Sequence, residues 1–481
     1  MSEAATYLGQ KGYTIKKEYM DVEEQMQLRK DLMMKPYVPK SSLAKPSLFP
    51  AYRESKKKFY IPRFYGIENY GEPEENKLND GEKINLKFKG KLREHQQPIV
   101  EKFIKYVEKN SGGLLELHTG FGKTCLALYI LAELGVKTLI IVHKEFLLRQ
   151  WIERIDQFLP GARIGKIQAS KIEVENKDIV IGMLQSLSMK DYDRKIFSDF
   201  GFTIIDECHH LGAEVFSKAL FKIVTRYGLG LSATMKRKDG LTKVIKMFMG
   251  KVVCKKERKG EDKVLVKVMN YNVVDEEFNK LEKTYRGDIN YSRMIKKLCE
   301  FNPRREYILK IISDEIKEDN IEQQIMVLGH NKSLLTYLYD AIKYRGIATV
   351  GYYIGGMKET ELKISEGKKI IIATYAMAEE GLDIKTLTTL IMATPKVDVT
   401  QAVGRILRQK REESKVIDIV DSHIIFQRHF KKRKRFYNKQ NFKILNDMDM
   451  ETKKMNKKET GFLKGICFID NKDRSEERRV G

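Results

Sequence analysis

The sequence predicts an α/β protein with two successive parallel-sheet lobes, an N-terminal accessory segment and a basic helical C-terminal tail. Three observations predict it. Short apolar runs alternate with helical stretches from Leu92 onward, a polar or small-residue cluster comes after each run of the first block, and the alternation occurs as two blocks around a charged stretch. In the first block the runs 114–117, 138–142, 178–181, 202–205 and 229–231 read as buried parallel strands. The clusters behind them are a glycine loop, His143-Lys144, Gln185, Asp206-Glu207 and Ser232-Ala233-Thr234. Open parallel sheets bind ligands outside the carboxyl ends of their strands, so these clusters are expected along one edge. In the second block the runs 325–328, 348–352, 369–373, 390–393 and 416–420 repeat the pattern without a second glycine–lysine loop. The expected boundaries are 1–85 for the accessory segment, 86–250 for the first lobe, 251–318 for a connector, 319–425 for the second lobe and 426–481 for the tail.

Composition agrees. A chain of 481 residues exceeds one ordinary core, so two or three domains are expected. Hydrophobic content of 42% with mixed charge fits a folded protein. The net charge of +24, from 90 Lys and Arg against 66 Asp and Glu, points to a polyanionic partner, most simply nucleic acid; solubility charge is the plainer alternative. Cys125, Cys208, Cys254, Cys299 and Cys467 show no paired spacing. That argues against zinc, iron–sulfur ligation or a disulfide framework, and for a reducing intracellular compartment. No run approaches the ~18 apolar residues of a membrane span, and no signal peptide opens the chain.

The accessory segment holds Pro36, Pro39, Pro46, Pro50, Pro62 and Pro73, so it is expected to be mostly extended. Asp21 with Glu24 three residues on predicts a capped helix over 25–34. Residues 53–65 interleave Lys56, Lys57, Lys58 and Arg63 with Phe59, Tyr60, Phe64 and Tyr65. Such a stretch suits either nucleic-acid stacking or an arm packed on the next domain, and packing is favoured. In the connector, 264–268 reads as a strand, and Asn302-Pro303 starts a helix over 307–316. In the tail, Lys431-Lys432-Arg433-Lys434-Arg435 precedes Phe436 and Tyr437 on an amphipathic helix. A nucleic-acid contact or nuclear address and a solvated helix face stand equally open there. Residues 474–481 lack an apolar pattern and read as a disordered tail or a cloning or assembly scar.

The most informative stretch is 114–128, LLELHTGFGKTCLAL, which reads as strand, glycine loop and helix. Loop N–H groups and a helix N-terminus make an anion site. Thr119, Gly120 and Gly122 shape it, Lys123 can reach the β- and γ-phosphates, and the Thr124 hydroxyl can ligate Mg²⁺. The strict pattern opens on glycine where this chain has Leu117. Asp206-Glu207-Cys208-His209 comes directly after a strand. There Asp206 would hold the metal and Glu207 would orient and deprotonate the attacking water. In QAVGRILR, Arg405 and Arg408 are three apart on one helical face, and guanidinium forks match phosphate oxygens.

The order Leu92-Arg93-x-x-Gln96, TGFGKT, DECH, Ser232-Ala233-Thr234, Glu380-Gly381-Leu382-Asp383 and QAVGRILR resembles a superfamily-two helicase of the DEAD/DEAH type over residues 92–425. His143-Lys144-Glu145-Phe146-Leu147, Gln150-Trp151, GLSATMKRKDG and Tyr353-Ile354-Gly355-Gly356 are similar to XPB-like helicases, phage recombination helicases and the poxvirus-type transcript-release helicases of large cytoplasmic DNA viruses. Tyr60-x-Pro62-Arg63-x-Tyr65-Gly66 and KKRKRFY resemble the viral group most. XPB proteins carry Arg-Glu-Asp where this chain has Arg237-Lys238-Asp239, which sets it apart from XPB-type DNA opening.

The resemblance implies two RecA-like lobes, ATP and Mg²⁺. Gln96 would read the adenine edge, and Ser232 and Thr234 would link hydrolysis to strand movement. Gly381 and Asp383 would bridge nucleotide and nucleic acid, while Gln401, Arg405 and Arg408 complete the nucleotide site. His143, Lys144, Gln185, Gly329, His330 and Thr374 fall where such enzymes touch the nucleic-acid backbone, although Met183 stands where a threonine usually precedes Gln185. The implied activity is an ATP-dependent helicase or translocase, with DNA favoured over RNA, transcription machinery as a candidate partner, and a virion or infected-cell cytoplasm as its setting. The rivals are a double-strand translocase that does not unwind, a restriction-type motor subunit, and a non-catalytic basic nucleic-acid-binding protein.

Overall fold

The computed structural model describes residues 4–37, 47–209, 212–237, 239–257, 263–285, 287–317, 323–380, 384, 386–406 and 414–446. The chain divides into two compact units, Met1–Arg258 and Lys259–Gly481. Cys467 and 474–481 lie outside the described residues. Among those described, no helix is long and apolar enough to cross a membrane.

In the first unit the described residues form an eight-stranded sheet in the order Lys171–Ile172, Ile164–Gln168, Ile179–Met183, Thr138–Val142, Phe202–Ile205, Tyr227–Ser232, Gly112–Leu117, Val252–Lys256. Neighbours are parallel except at the short edge strand Lys171–Ile172. Thr138–Val142 is buried at every residue. A parallel strand covered on both faces must read as a continuous apolar run, and this one does. Helices cover the faces by stripes. Gln97–Asn110 buries Ile99, Val100, Phe103 and Val107, and Glu145–Phe158 buries Leu147, Leu148, Trp151 and Ile155. Ile164–Gln168 escaped the sequence reading because its burial alternates along five residues and leaves no apolar run.

The accessory segment pairs its extended stretches into strands and adds a second helix, Arg63–Tyr70. It forms a small sheet in the order Arg53–Glu54, Lys58–Ile61, Gly12–Lys16, Thr6–Gly9, Glu75–Asn76. Its described prolines, Pro36, Pro50, Pro62 and Pro73, lie outside those strands. The helix Val22–Asp31 starts on the expected capping box: Asp21 accepts from the Glu24 N–H at 2.7 Å, and Glu24 accepts from the Asp21 N–H at 3.1 Å. The aromatic–basic stretch packs inward. Phe59 and Ile61 share one core with Tyr13 and Ile15, and that core continues into Leu114, Leu139 and Ile141 of the large sheet. Arg63 donates to the carbonyls of Thr225 and Arg226. A Cβ on Gly112 would stand 2.7 Å from Phe64 Cζ, so glycine at the strand start is what lets this ring close.

In the second unit the described residues form a seven-stranded, all-parallel sheet in the order Val350–Tyr353, Ile370–Thr374, Ile325–Gly329, Thr389–Met392, Ser414–Asp421, Val264–Tyr271, Lys443–Asn446. Two expectations are corrected here. The stretch 251–318 is no connector. Val252–Lys256 completes the first sheet, and Val264–Tyr271 pairs along its whole length with Ser414–Asp421 in the second. Lys267 does not break that strand because Glu315 pairs with it. The helices Tyr291–Glu300 and Asn302–Lys317 bury Met294, Leu298, Ile308 and Ile312 in the core, so most of their charges lie on the outer faces, with Arg304 and Glu315 buried.

Nor does the fold end at residue 425. The helix Ile424–Lys439 crosses to Lys443–Asn446, which pairs with Val264–Tyr271. Arg433, inside the basic run, is buried against Asp418 with both bonds at 2.8 Å. Tyr437 donates to the same carboxylate at 2.9 Å. Both sequence readings of the run overlooked this internal anchor.

Candidate functional site

The glycine loop leaves the strand Gly112–Leu117 and ends on the helix Lys123–Leu134. Leu117 is buried as the last strand residue, which explains why glycine is not required there. Gly120 and Gly122 take φ of +84° and +91°, the left-handed region that glycine enters without strain. A Cβ on Gly122 would also lie 2.5 Å from Gln96 Nε2. Gln96 is buried and braces the loop: its Nε2 donates to the Phe121 carbonyl at 2.8 Å, and its Oε1 accepts from the Arg93 N–H at 3.0 Å. Phe121 meets the rings of His95 and His118 edge-on, at centroid distances of 5.0 and 5.2 Å.

Lys123 Nζ donates to Glu207 Oε1 at 3.1 Å, so loop and strand-end acid meet directly. Glu207 has φ +47°, a left-handed conformation that costs a non-glycine residue about 1 kcal/mol or more and clusters at functional sites. Asp206 accepts from Trp151 Nε1 and from the Glu207 N–H, each at 2.9 Å. Burial, and then the adjacent Glu207 charge, push the Asp206 carboxyl up to about 6. A buried carboxylate of this kind is suited to a cation. Among the described residues no group of three or more His, Cys, Asp or Glu forms a metal cage. Mg²⁺ takes one or two protein oxygens and fills its shell with water and phosphate, and Asp206 would be such a ligand.

The polar chain continues. His209 Nδ1 lies 3.4 Å from Glu207 Oε2 and 2.6 Å from Ser232 Oγ, and Ser232 Oγ donates to the Thr234 carbonyl at 2.5 Å. Arg237 donates to the His209 carbonyl at 3.2 Å and pairs with Asp239. Arg237 and Asp239, the two positions shared with the XPB pattern, thus brace the Asp206–His209 turn, while the departing Lys238 lies outside the described residues. Farther along the edge, Gln185 Nε2 donates to the His143 carbonyl at 3.0 Å, and Lys144 stands in extended conformation at the residue before the helix Glu145–Phe158.

In the second unit Gly329 and Thr374 end paired strands, in register with each other, and His330 comes next after Gly329. His330 Nδ1 lies 2.7 Å from Thr394 Oγ1, and its ring packs tilted on Tyr375 at 4.7 Å. Desolvation, and then Lys396 and His429, push this imidazole down to about 4. Gln401 and Arg405, four apart on the helix Thr400–Ile406, share the side left open by buried Ala402, Val403 and Ile406. The segment leading into this helix is held by its carbonyls. Arg304 donates to Ala393, Tyr375 to Thr394, Tyr291 to Pro395 and Arg433 to Lys396, at 2.9, 2.6, 3.0 and 2.6 Å. Gly381, Asp383 and Arg408 lie outside the described residues.

Comparison with known proteins identifies this arrangement. Residues 89–237 match the family model of the type III restriction enzyme res subunit. A protein of Acanthamoeba polyphaga mimivirus named as an ATP-dependent RNA helicase is 37% identical over 448 residues, spanning 90% of this chain and 85% of that protein. The chain belongs to the superfamily-two helicases. A Sulfurisphaera tokodaii protein named DNA 3'-5' translocase XPB2 is 28% identical, over 77% of the helicase and 90% of its own length. Among solved structures, S. cerevisiae Dbp5 bound to RNA and ADP BeF3 is similar with a TM-score of 0.52 at 14% identity, covering 76% of the helicase and 93% of that chain. That likeness speaks for the fold alone.

Of the expected residues, the helicase brings Gln96, the glycine loop, Lys123 and Glu207 into one bonded group, with Asp206 behind it. Trp151 was missed as a partner of Asp206. Its signal was its being the single tryptophan of the chain, directly after the family-like Gln150. Arg304, Tyr291, Tyr375 and Arg433 were missed as well, and no local pattern marked them.

Proposed function

We propose that this helicase couples ATP hydrolysis to movement along DNA, separating strands or displacing bound transcripts. The observation that carries the reading is the Lys123–Glu207 contact at the mouth of a glycine loop, beside buried Asp206. Loop N–H groups and Lys123 would bind the β- and γ-phosphates, and Gln96 would pass from its loop contacts to the adenine edge. Mg²⁺ would be held by Asp206 and Thr124, and when bound it neutralises phosphate charge. On ATP binding Lys123 would exchange its carboxylate partner for phosphate. Glu207 would then be released to take a proton from the attacking water. Arg405 and Arg408 would supply transition-state charge from the second unit, with Gln401 beside them, and Gly381 and Asp383 would link nucleotide to nucleic acid. His143, Lys144 and Gln185 in the first unit, and Gly329, His330 and Thr374 in the second, would touch the backbone of the strand.

The preference for DNA rests on the resemblance to transcript-release and XPB-like motors, and the relatives carry both RNA and DNA names. The deciding experiment compares ATP turnover with single-stranded DNA, duplex DNA and RNA at one fixed salt concentration, because basic proteins bind all three in dilute buffer. DNA should stimulate most; stimulation by RNA alone would overturn the DNA reading. Arg405→Ala should lower turnover about a thousandfold with ATP still bound, and wild-type turnover would remove Arg405 from the site. Forked-duplex unwinding against triplex displacement separates strand separation from translocation without unwinding.

A further inference from the structure

We propose that the outward face of the helix Ile424–Lys439 is a rail for the phosphate backbone of duplex nucleic acid, continuing the strand-edge cluster of the second unit. The proposal rests on the reading that Gly329, His330 and Thr374 meet nucleic acid. Arg428, Lys431, Lys432 and Arg435 are all exposed. At about 100° per residue their spacings of three, four and seven place them within an arc of about 100°. Phe426, Arg433 and Tyr437, which are buried, occupy the opposite side. No Asp or Glu occurs between Asp421 and Asp447, so neither the helix nor the strand after it offers the stripe a carboxylate. A solvated helix would ordinarily mix signs; this one presents one sign to water and its apolar side to the core.

The rail is joined to the edge. Arg433, on the buried side, donates to the Lys396 carbonyl, and His429 packs on Tyr291, whose hydroxyl holds the Pro395 carbonyl. Thr394, next in that segment, bonds His330. The first cation of the stripe, Arg428, is therefore the immediate chain neighbour of a residue bolted to the His330 support. From Arg428 to Arg435 the stripe runs about 10 Å, over which a duplex presents about six phosphates. The Asp418 anchor fixes the backbone beforehand, so binding need not order it. Duplex is favoured over a single strand because the stripe has no exposed aromatic. Phe430 and Phe436 pack against the core, and single-strand tracks depend on stacking platforms.

The test is the full chain with Arg428→Ala, Lys431→Ala, Lys432→Ala and Arg435→Ala together, measured by fluorescence anisotropy on a blunt DNA duplex and on a single strand of equal length, across a salt series. Duplex affinity should fall tenfold or more near physiological salt, and the log–log salt slope should flatten by about 3. Single-strand affinity should fall less than about threefold if stacking and edge contacts carry it. An unchanged duplex slope, or equal losses on both substrates, overturns the rail. Wild-type chain that binds no nucleic acid overturns the underlying reading too, whereas wild-type binding with a silent variant overturns the rail alone. Should the fourfold variant melt early, Lys431→Ala with Lys432→Ala carries the same test, with a slope change of about 1 to 2.

Discussion

The two sheets place polar groups at the carboxyl ends of their strands but secure them differently. In the first unit the edge groups bond one another: Lys123 with Glu207, His209 with Ser232, Gln185 with the His143 carbonyl. In the second, side chains from four surrounding helices reach in to grip the backbone of 393–396 before the helix that carries Gln401 and Arg405. A side-chain ion pair at the edge can trade its partner for a ligand. A backbone held by buried donors cannot, and so can only aim the helix after it. The same parallel-sheet architecture thus serves exchange in one unit and aim in the other.

Four measurements would break or sharpen that contrast. Lys123→Ala should cut ATP turnover about a thousandfold, read by phosphate release, with little loss of melting temperature; turnover near wild type would leave the first edge with no exchangeable cation. Asp418→Asn should destabilise the second unit by about 3 kcal/mol, because it strands Arg433 in the core; calorimetry that shows an unshifted transition would mean the grip is ornamental. Glu207→Gln should lower turnover about a hundredfold while fluorescent-ATP binding stays intact, and a binding loss in place of a rate loss would recast Glu207 as a support for Lys123. Tyr291→Phe, which removes only the donor to Pro395, should cost about 1 kcal/mol of stability. If aim matters, it should also lower kcat several-fold at constant KM for ATP, and a change confined to stability would reduce the clasp to packing.

Much of this was legible in the chain. The buried strands announce themselves as apolar runs, and the glycine loop and the Asp-Glu pair carry their chemistry in adjacent letters. The capping box at Asp21 did the same. The hidden parts came from distance or from burial. Trp151 meets Asp206 across 55 residues, and Arg304 meets Asp421 across 117. Arg433 is one basic residue among five in a row, and nothing in the row says which one turns inward. The stretch 251–318 misled because charges on outer helix faces look, in one dimension, like the charges of a loop. Val252–Lys256 misled for a related reason, since an edge strand ending in lysines has only half a face to bury.

The core shared by Tyr13, Phe59 and Ile61 with Leu114 and Leu139 bears on how this enzyme can be trimmed. A motor fragment begun at the first recognisable motif would look complete on paper. It would nonetheless bare the oily flank of its own principal sheet, and we expect it to clump, whereas a fragment that keeps everything from Thr6 onward should remain well behaved.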